Sequence, residues 1–161
     1  REALRLRPLE PAEEAFHIGA ALDDADDPAA AEHLRRALFF DPEHTAAWMR
    51  LAVRLLADGK AADAVPVFER AAELRPGSAR VWGGLADAAA KAGLHEKAVR
   101  AARAALAIEP SQPQFHWRVA VSLRALGRLD EAAMALAEVA WLAPGRVEPP
   151  LARESARSRR I

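Results

Sequence analysis

Residues Thr45–Ser78 read TAAWMRLAVRLLADGKAADAVPVFERAAELRPGS, and this stretch decides the fold. Its first half sets Trp48, Leu51, Ala52 and Leu55 at i, i+3, i+4 and i+7, the spacing of one buried helix face. Asp58-Gly59 ends that helix, because glycine takes the left-handed conformation of a helix stop at little cost. A second apolar face follows in Ala64, Val67, Phe68, Ala71 and Leu74, and Pro76 closes it. The pattern predicts two helices, from about Glu43 to Ala57 and from about Ala61 to Leu74. With Asp63 as its N-cap, the second helix would carry Pro66 in its first turn, where a missing N–H has no intrahelical partner to lose.

The frame recurs at a period of 34 residues. Trp48, Leu51, Gly59, Ala64, Phe68, Ala71 and Pro76 map onto Trp82, Leu85, Gly93, Ala98, Ala102, Ala105 and Pro110, then onto His116, Val119, Gly127, Ala132, Leu136, Val139 and Pro144. Upstream, Ala30, Leu34, Ala37 and Pro42 keep the frame, whereas Phe16, Ile18, Gly19 and Leu22 fit if one residue is dropped from the turn Asp23-Asp24-Ala25-Asp26-Asp27-Pro28. Those carboxylates lack the glycine and distal Glu of an EF-hand loop, so they read as a solvated turn capping the next helix, and no metal site is expected.

The Trp-x-x-Leu opening, mid-repeat Gly, small residue and terminal Pro at this period resemble the tetratricopeptide repeat. The resemblance implies an all-α, right-handed superhelical array of about four helix-turn-helix repeats with a C-terminal capping segment. Its parts would be a lead-in at 1–10, an array at 11–146 divided as 11–44, 45–78, 79–112 and 113–146, and a capping helix or basic tail at 147–161. Leu4, Leu6 and Leu9 would cap one end and a helix starting near Pro150 the other. Arg153, Arg157, Arg159 and Arg160 read as a solvated terminus.

Taking Trp48 as position 4 of its repeat, the core positions are 4, 7, 8, 11, 20, 24 and 27, so the tryptophans there read as structural. By resemblance, positions 2, 5, 6, 9, 12 and 13 of each first helix line a concave groove that holds an extended or helical peptide. From these positions the candidate ligand-binding residues are Met49, Arg50, Val53, Arg80, Gly83, Gly84, Asp87, Gln114, Trp117, Arg118, Val121 and Arg124. Arg50 and Arg118 flank Gly83-Gly84, which suggests a side-chain-free floor between two guanidinium groups, suited to a partner with acidic and apolar residues. The alternative is that the arginines are solvated and the glycines relieve crowding between helices. The co-chaperone subtype, which grips a terminal carboxylate, would need Lys or Asn where Met49, Val53, Gly84 and Gln114 stand. Only Arg118 matches, and the chain has no asparagine.

A second resemblance, carried by Phe16-His17-Ile18-Gly19 and by Arg35-Arg36-Ala37-Leu38-Phe39-Phe40-Asp41-Pro42-Glu43-His44, is to the repeat segment appended to some bacterial chemoreceptor methyltransferases. It covers about residues 16–58 and implies a regulatory or docking tail of a multidomain enzyme. The function the repeat pattern implies is a non-catalytic protein-interaction module that binds a partner peptide or helix in its concave groove. A third reading is a self-assembling homo-oligomeric scaffold, since residues 1–80 hold 11 basic and 15 acidic side chains against 12 and 8 in 81–161.

Other classes find little support. The 161 residues contain no cysteine, which removes disulfides and thiolate chemistry. His17, His33, His44, His95 and His116 show no i, i+4 pairing, and no phosphate-cradling loop or nucleophile elbow occurs, so neither catalysis nor a cofactor is expected. Zero net charge lacks the footprint of nucleic-acid binding, and no apolar run is long enough for membrane insertion. The cytoplasm is the default location, with the periplasm left open, and an opening at Arg1 without methionine reads as a fragment or processed product.

Overall fold

The computed structural model describes residues 10–143, and among them every regular element is an α-helix. The order is α1 (Pro11–Asp24), α2 (Ala30–Phe40), α3 (Thr45–Ala57), α4 (Ala61–Leu74), α5 (Ala79–Lys91), α6 (His95–Ile108), α7 (Pro113–Ala125) and α8 (Leu129–Leu142). Each odd-numbered helix packs on the even-numbered one that follows, and each pair stacks on the next. The lead-in leucines, Pro144, the capping segment at 147–161 and its arginines lie outside the described residues.

The stops between paired helices are chemically uniform. Gly59, Gly93 and Gly127 sit at φ of 76°, 77° and 75°, the left-handed region. The residue after each glycine donates its N–H back to the preceding helix, Lys60 to Leu55, Leu94 to Ala89 and Arg128 to Leu123, at 2.8 to 2.9 Å. Those are the bonds of a Schellman cap. In the first pair Asp26 takes this role, with φ 57° and the equivalent bond from Asp27 N to Leu22 O at 2.8 Å. Asp26 lies four residues before Ala30, whereas Gly59 lies five before Ala64, so the turn is one residue shorter here. Asp27 then accepts from Ala29 N at 2.8 Å as α2 begins.

One expected helix start and one expected N-cap are corrected. Thr45 opens α3 because His44 is the N-cap, its Nδ1 accepting from Ala47 N at 3.2 Å. Lys60, not Asp63, caps α4, so Pro66 stands as the sixth residue of the helix. Its ring therefore removes a hydrogen bond to the Ala62 carbonyl that an ordinary residue would make. Both residues are exposed, so water reaches the freed carbonyl.

Small residues let the helices close on one another. Ala64, Ala98 and Ala132 are buried at one repeat position and Ala52, Ala86 and Ala120 at another, with Leu34, Leu55, Phe68 and Leu123 filling the spaces between. Position 4 is shallower than expected: Trp48, Trp82 and His116 are half-buried, and the deeper residues are their neighbours Ala47, Val81 and Phe115. The position 4 side chains instead lock successive repeats. Trp48 Nε1 donates to Pro42 O and Trp82 Nε1 to Pro76 O, both at 2.8 Å, and His116 Nε2 reaches Pro110 O at 2.9 Å. With its hydrogen on Nε2, the imidazole does the work of an indole. Trp82→Phe keeps most of the ring burial and deletes the donor, so it should cost about 1 kcal/mol in urea unfolding; no loss would show that water replaces the lock.

Candidate functional site

The backbones of successive first helices, α1 to α3, α3 to α5 and α5 to α7, approach one another, whereas those of the second helices do not. The first helices therefore form the inner side of the curved stack. On that side three hollows join into one trough. The central one, about 410 Å³, is lined by Met49, Val53 and Leu56 of α3, Arg80, Gly83, Gly84 and Asp87 of α5, Gln114, Phe115 and Arg118 of α7, and Phe68 and Glu109. It shares Met49, Val53 and Arg80 with a hollow of about 440 Å³ that adds Asp23, Arg50, Arg75 and Ser78. At the other end it shares Asp87, Gln114 and Arg118 with a hollow of about 330 Å³ bounded by Pro113, Trp117 and Val139.

Of the candidate residues, Met49, Arg50, Val53, Arg80, Gly83, Gly84, Asp87, Gln114, Trp117 and Arg118 line the trough. Val121 and Arg124 are exposed but line none of the three hollows. Sequence reasoning missed Phe68 and Phe115 as floor, and Arg75, Ser78 and Glu109 as rim. The helix face of α3, α5 and α7 alone could not indicate them, because they come from α4, the start of α7 and the inter-repeat turns.

The two arginines are not free guanidinium groups awaiting an acid. Arg118 grips Asp87 of the preceding first helix with both nitrogens, Nε to Oδ1 at 2.5 Å and an Nη to Oδ2 at 2.7 Å. Arg50 meets Asp24 at 2.9 Å, Asp23 at 3.3 Å and the Ala20 carbonyl at 3.4 Å, at the C-terminal end of α1. The hydrogen bond to Asp24 is the largest influence raising its already high pKa. Nor is the acidic turn merely solvated. Arg54, nearly buried, bonds Asp58 at 2.9 Å and Asp26 at 2.6 Å, and these bonds, Asp58's first, raise its pKa. Four carboxylates thus surround two guanidinium groups, and three of them, Asp23, Asp24 and Asp26, tie the end of α1 to α3. Among the described residues no cluster of His, Asp or Glu has the arrangement to hold a metal ion.

Gly83-Gly84 is not an open floor. A Cβ on Gly83 would stand 2.7 Å from Cε1 of Phe115, and one on Gly84 would overlap Cε1 of Phe68 and lie 2.7 Å from its Cζ. The glycines let two buried phenylalanine rings come up beside the α5 backbone, one from each side, so the bottom of the trough is aromatic. Between the self-paired Arg50 and Arg118 one wall and the floor are apolar, with Val53 exposed. Arg75 and Arg80 carry the cationic charge that no acid within the described residues pairs. No helix among the described residues is long and apolar enough to cross a membrane.

Two family models, each described as tetratricopeptide repeat, match residues 18–79 and 55–116, together spanning more than half of the chain. No curated protein sequence matches it. Among solved structures, MamA residues 41 to the end from Desulfovibrio magneticus RS-1 superposes with a TM-score of 0.77 at 24% identity, over 84% of this chain and 77% of that one. MamA AMB-1 gives 0.79 at 25% identity over 85% and 75%. A further MamA crystal structure gives 0.76 at 19% over 91% and 81%. These likenesses reproduce the stacked helix pairs described above. With the 34-residue frame, its glycine stops and both family models in agreement, the chain belongs to the tetratricopeptide repeat family and is a helical-repeat protein-interaction module.

Proposed function

We propose that this chain acts without catalysis of its own and holds a segment of a partner protein along the trough on the inner side of the array. The observation that carries this reading is the continuity of the trough. Three hollows share lining residues across α3, α5 and α7, forming one surface with an apolar, aromatic-floored centre rather than scattered dimples. Exposed Val53 and Trp117 lie along it, and covering their apolar surface with a partner is favourable. The corrected charge pattern alters how the partner is read. Arg50 and Arg118 brace the scaffold, so the binding energy would come from burial in the centre.

The test is affinity capture from lysate of the source organism, comparing the wild-type chain with Val53→Glu, Trp117→Glu and with Arg100→Glu, a change on an exposed residue of α6 outside the trough. Circular dichroism of each variant should show unchanged helicity. A protein retained by wild type and Arg100→Glu but lost by the trough variant is the expected result. Equal retention by all three would place binding elsewhere.

A further inference from the structure

We infer that the trough selects a partner segment with a defined order of chemistry: an acidic residue, then an apolar anchor, then a second apolar or aromatic residue. This rests on the trough being the binding site and adds what it recognises. The anchor position follows from the centre. Met49, Val53 and Leu56 form one wall, the rings of Phe68 and Phe115 form the floor, and Gly83-Gly84 contribute no side chain that would fill it. A concavity of about 410 Å³ with this apolar wall and floor accepts one sizeable aliphatic or aromatic side chain, and Arg80, Asp87, Glu109, Gln114 and Arg118 complete its lining.

The acidic position follows from the pairing of charges. Seven charged residues line the three hollows: Arg50, Arg75, Arg80 and Arg118 against Asp23, Asp87 and Glu109. Arg118 is satisfied by Asp87, and Arg50 by Asp23 and Asp24. That leaves Arg75 and Arg80, on either side of the α4–α5 turn, Arg75 in the hollow nearest α1 and Arg80 where that hollow meets the centre, with Glu109 in the central hollow. A partner carboxylate near Arg75 and Arg80 forms charge-assisted hydrogen bonds without displacing an existing one. A carboxylate set beside Glu109 in the central hollow would instead be repelled. At the far end, Trp117 with Pro113 and Val139 offers an apolar face for the third residue.

The test is selection from a random dodecapeptide display library on the wild-type chain, followed by fluorescence-anisotropy titration of the enriched peptides, synthesised singly. The expected consensus is Asp or Glu, an aliphatic or aromatic residue a few positions away, and a further apolar residue on the side opposite the acid. Binding should weaken at least tenfold with Arg80→Glu and with Val53→Glu, both at exposed positions. It should strengthen at low salt, and an acid-to-Lys peptide should recover affinity on Arg80→Glu. Enriched peptides that Val53→Glu abolishes but Arg80→Glu leaves unchanged, with no acidic consensus, would overturn this inference while leaving the trough as the site. Peptides indifferent to both substitutions would overturn both readings. No enrichment above background would overturn the inference as well.

Discussion

Gly84→Ala is expected to destabilise the fold by about 1–3 kcal/mol, opposite in sign to the helix-propensity gain of about 1 kcal/mol that replacing a mid-helix glycine by alanine ordinarily brings. The reason is steric. The new methyl group overlaps Cε1 of Phe68, and that ring is 1% exposed and packed in the core, so it can move only by displacing core neighbours or tilting into the hollow it floors. Adding Phe68→Leu to Gly84→Ala should cost less than the sum of the two single changes, because leucine vacates the overlapping region. Gly77→Ala is the control: nothing lies within 4 Å of a Cβ there, so the change should be within about 0.5 kcal/mol of neutral. Urea unfolding of the four variants beside wild type decides the matter. A stabilising Gly84→Ala would mean that the ring yields and that the glycine is not required for it.

Pro66→Ala carries the second large effect, in the other direction. A proline inside a helix costs about 3 kcal/mol relative to alanine, from the lost hydrogen bond and the clash with the preceding turn. Part of this is offset because proline also restricts the unfolded chain, by up to about 1 kcal/mol. The position is solvent-exposed and the bond to be restored runs to exposed Ala62, so no buried contact is given up. A net gain of about 2 kcal/mol should raise Tm by about 4–8 °C for a chain of this size. If stability instead falls, the local backbone geometry that Pro66 sets is needed to seat Phe68 two residues on.

The helix pairs were legible because each carries its own punctuation. The α4 bounds agree with the reading from apolar spacing, and α3 differs only at its start, where His44 caps with a ring nitrogen rather than a hydroxyl or carboxylate. The dropped residue in the first turn was legible too, from the slip of Phe16, Gly19 and Leu22 against the frame. What periodicity could not show were relations between repeats. Asp87 and Arg118 lie 31 positions apart and occupy different repeat positions, so a comparison of like with like never sets them side by side. Likewise Gly83-Gly84 is silent about the rings that fill its space, since Phe68 belongs to the preceding repeat and Phe115 to the following one. The rows of positive and small residues were visible in the sequence, but their partners were not. A list of groove positions therefore names residues that line the trough, but it leaves out the pairing of Arg50 with Asp23 and Asp24 and of Arg118 with Asp87.

The chain holds two methionines, Met49 on the trough wall and Met134 exposed on α8, so oxidative footprinting can read both surfaces in one sample. Hydroxyl-radical labelling of the chain, alone and saturated with a captured partner segment, is the most direct test of where binding occurs. Protection of Met49 and Trp117, with Met134 and Trp141 labelled as before, is the predicted result. Protection of Met134 and Trp141 with Met49 unchanged would contradict the account and move the interface to the face of α8.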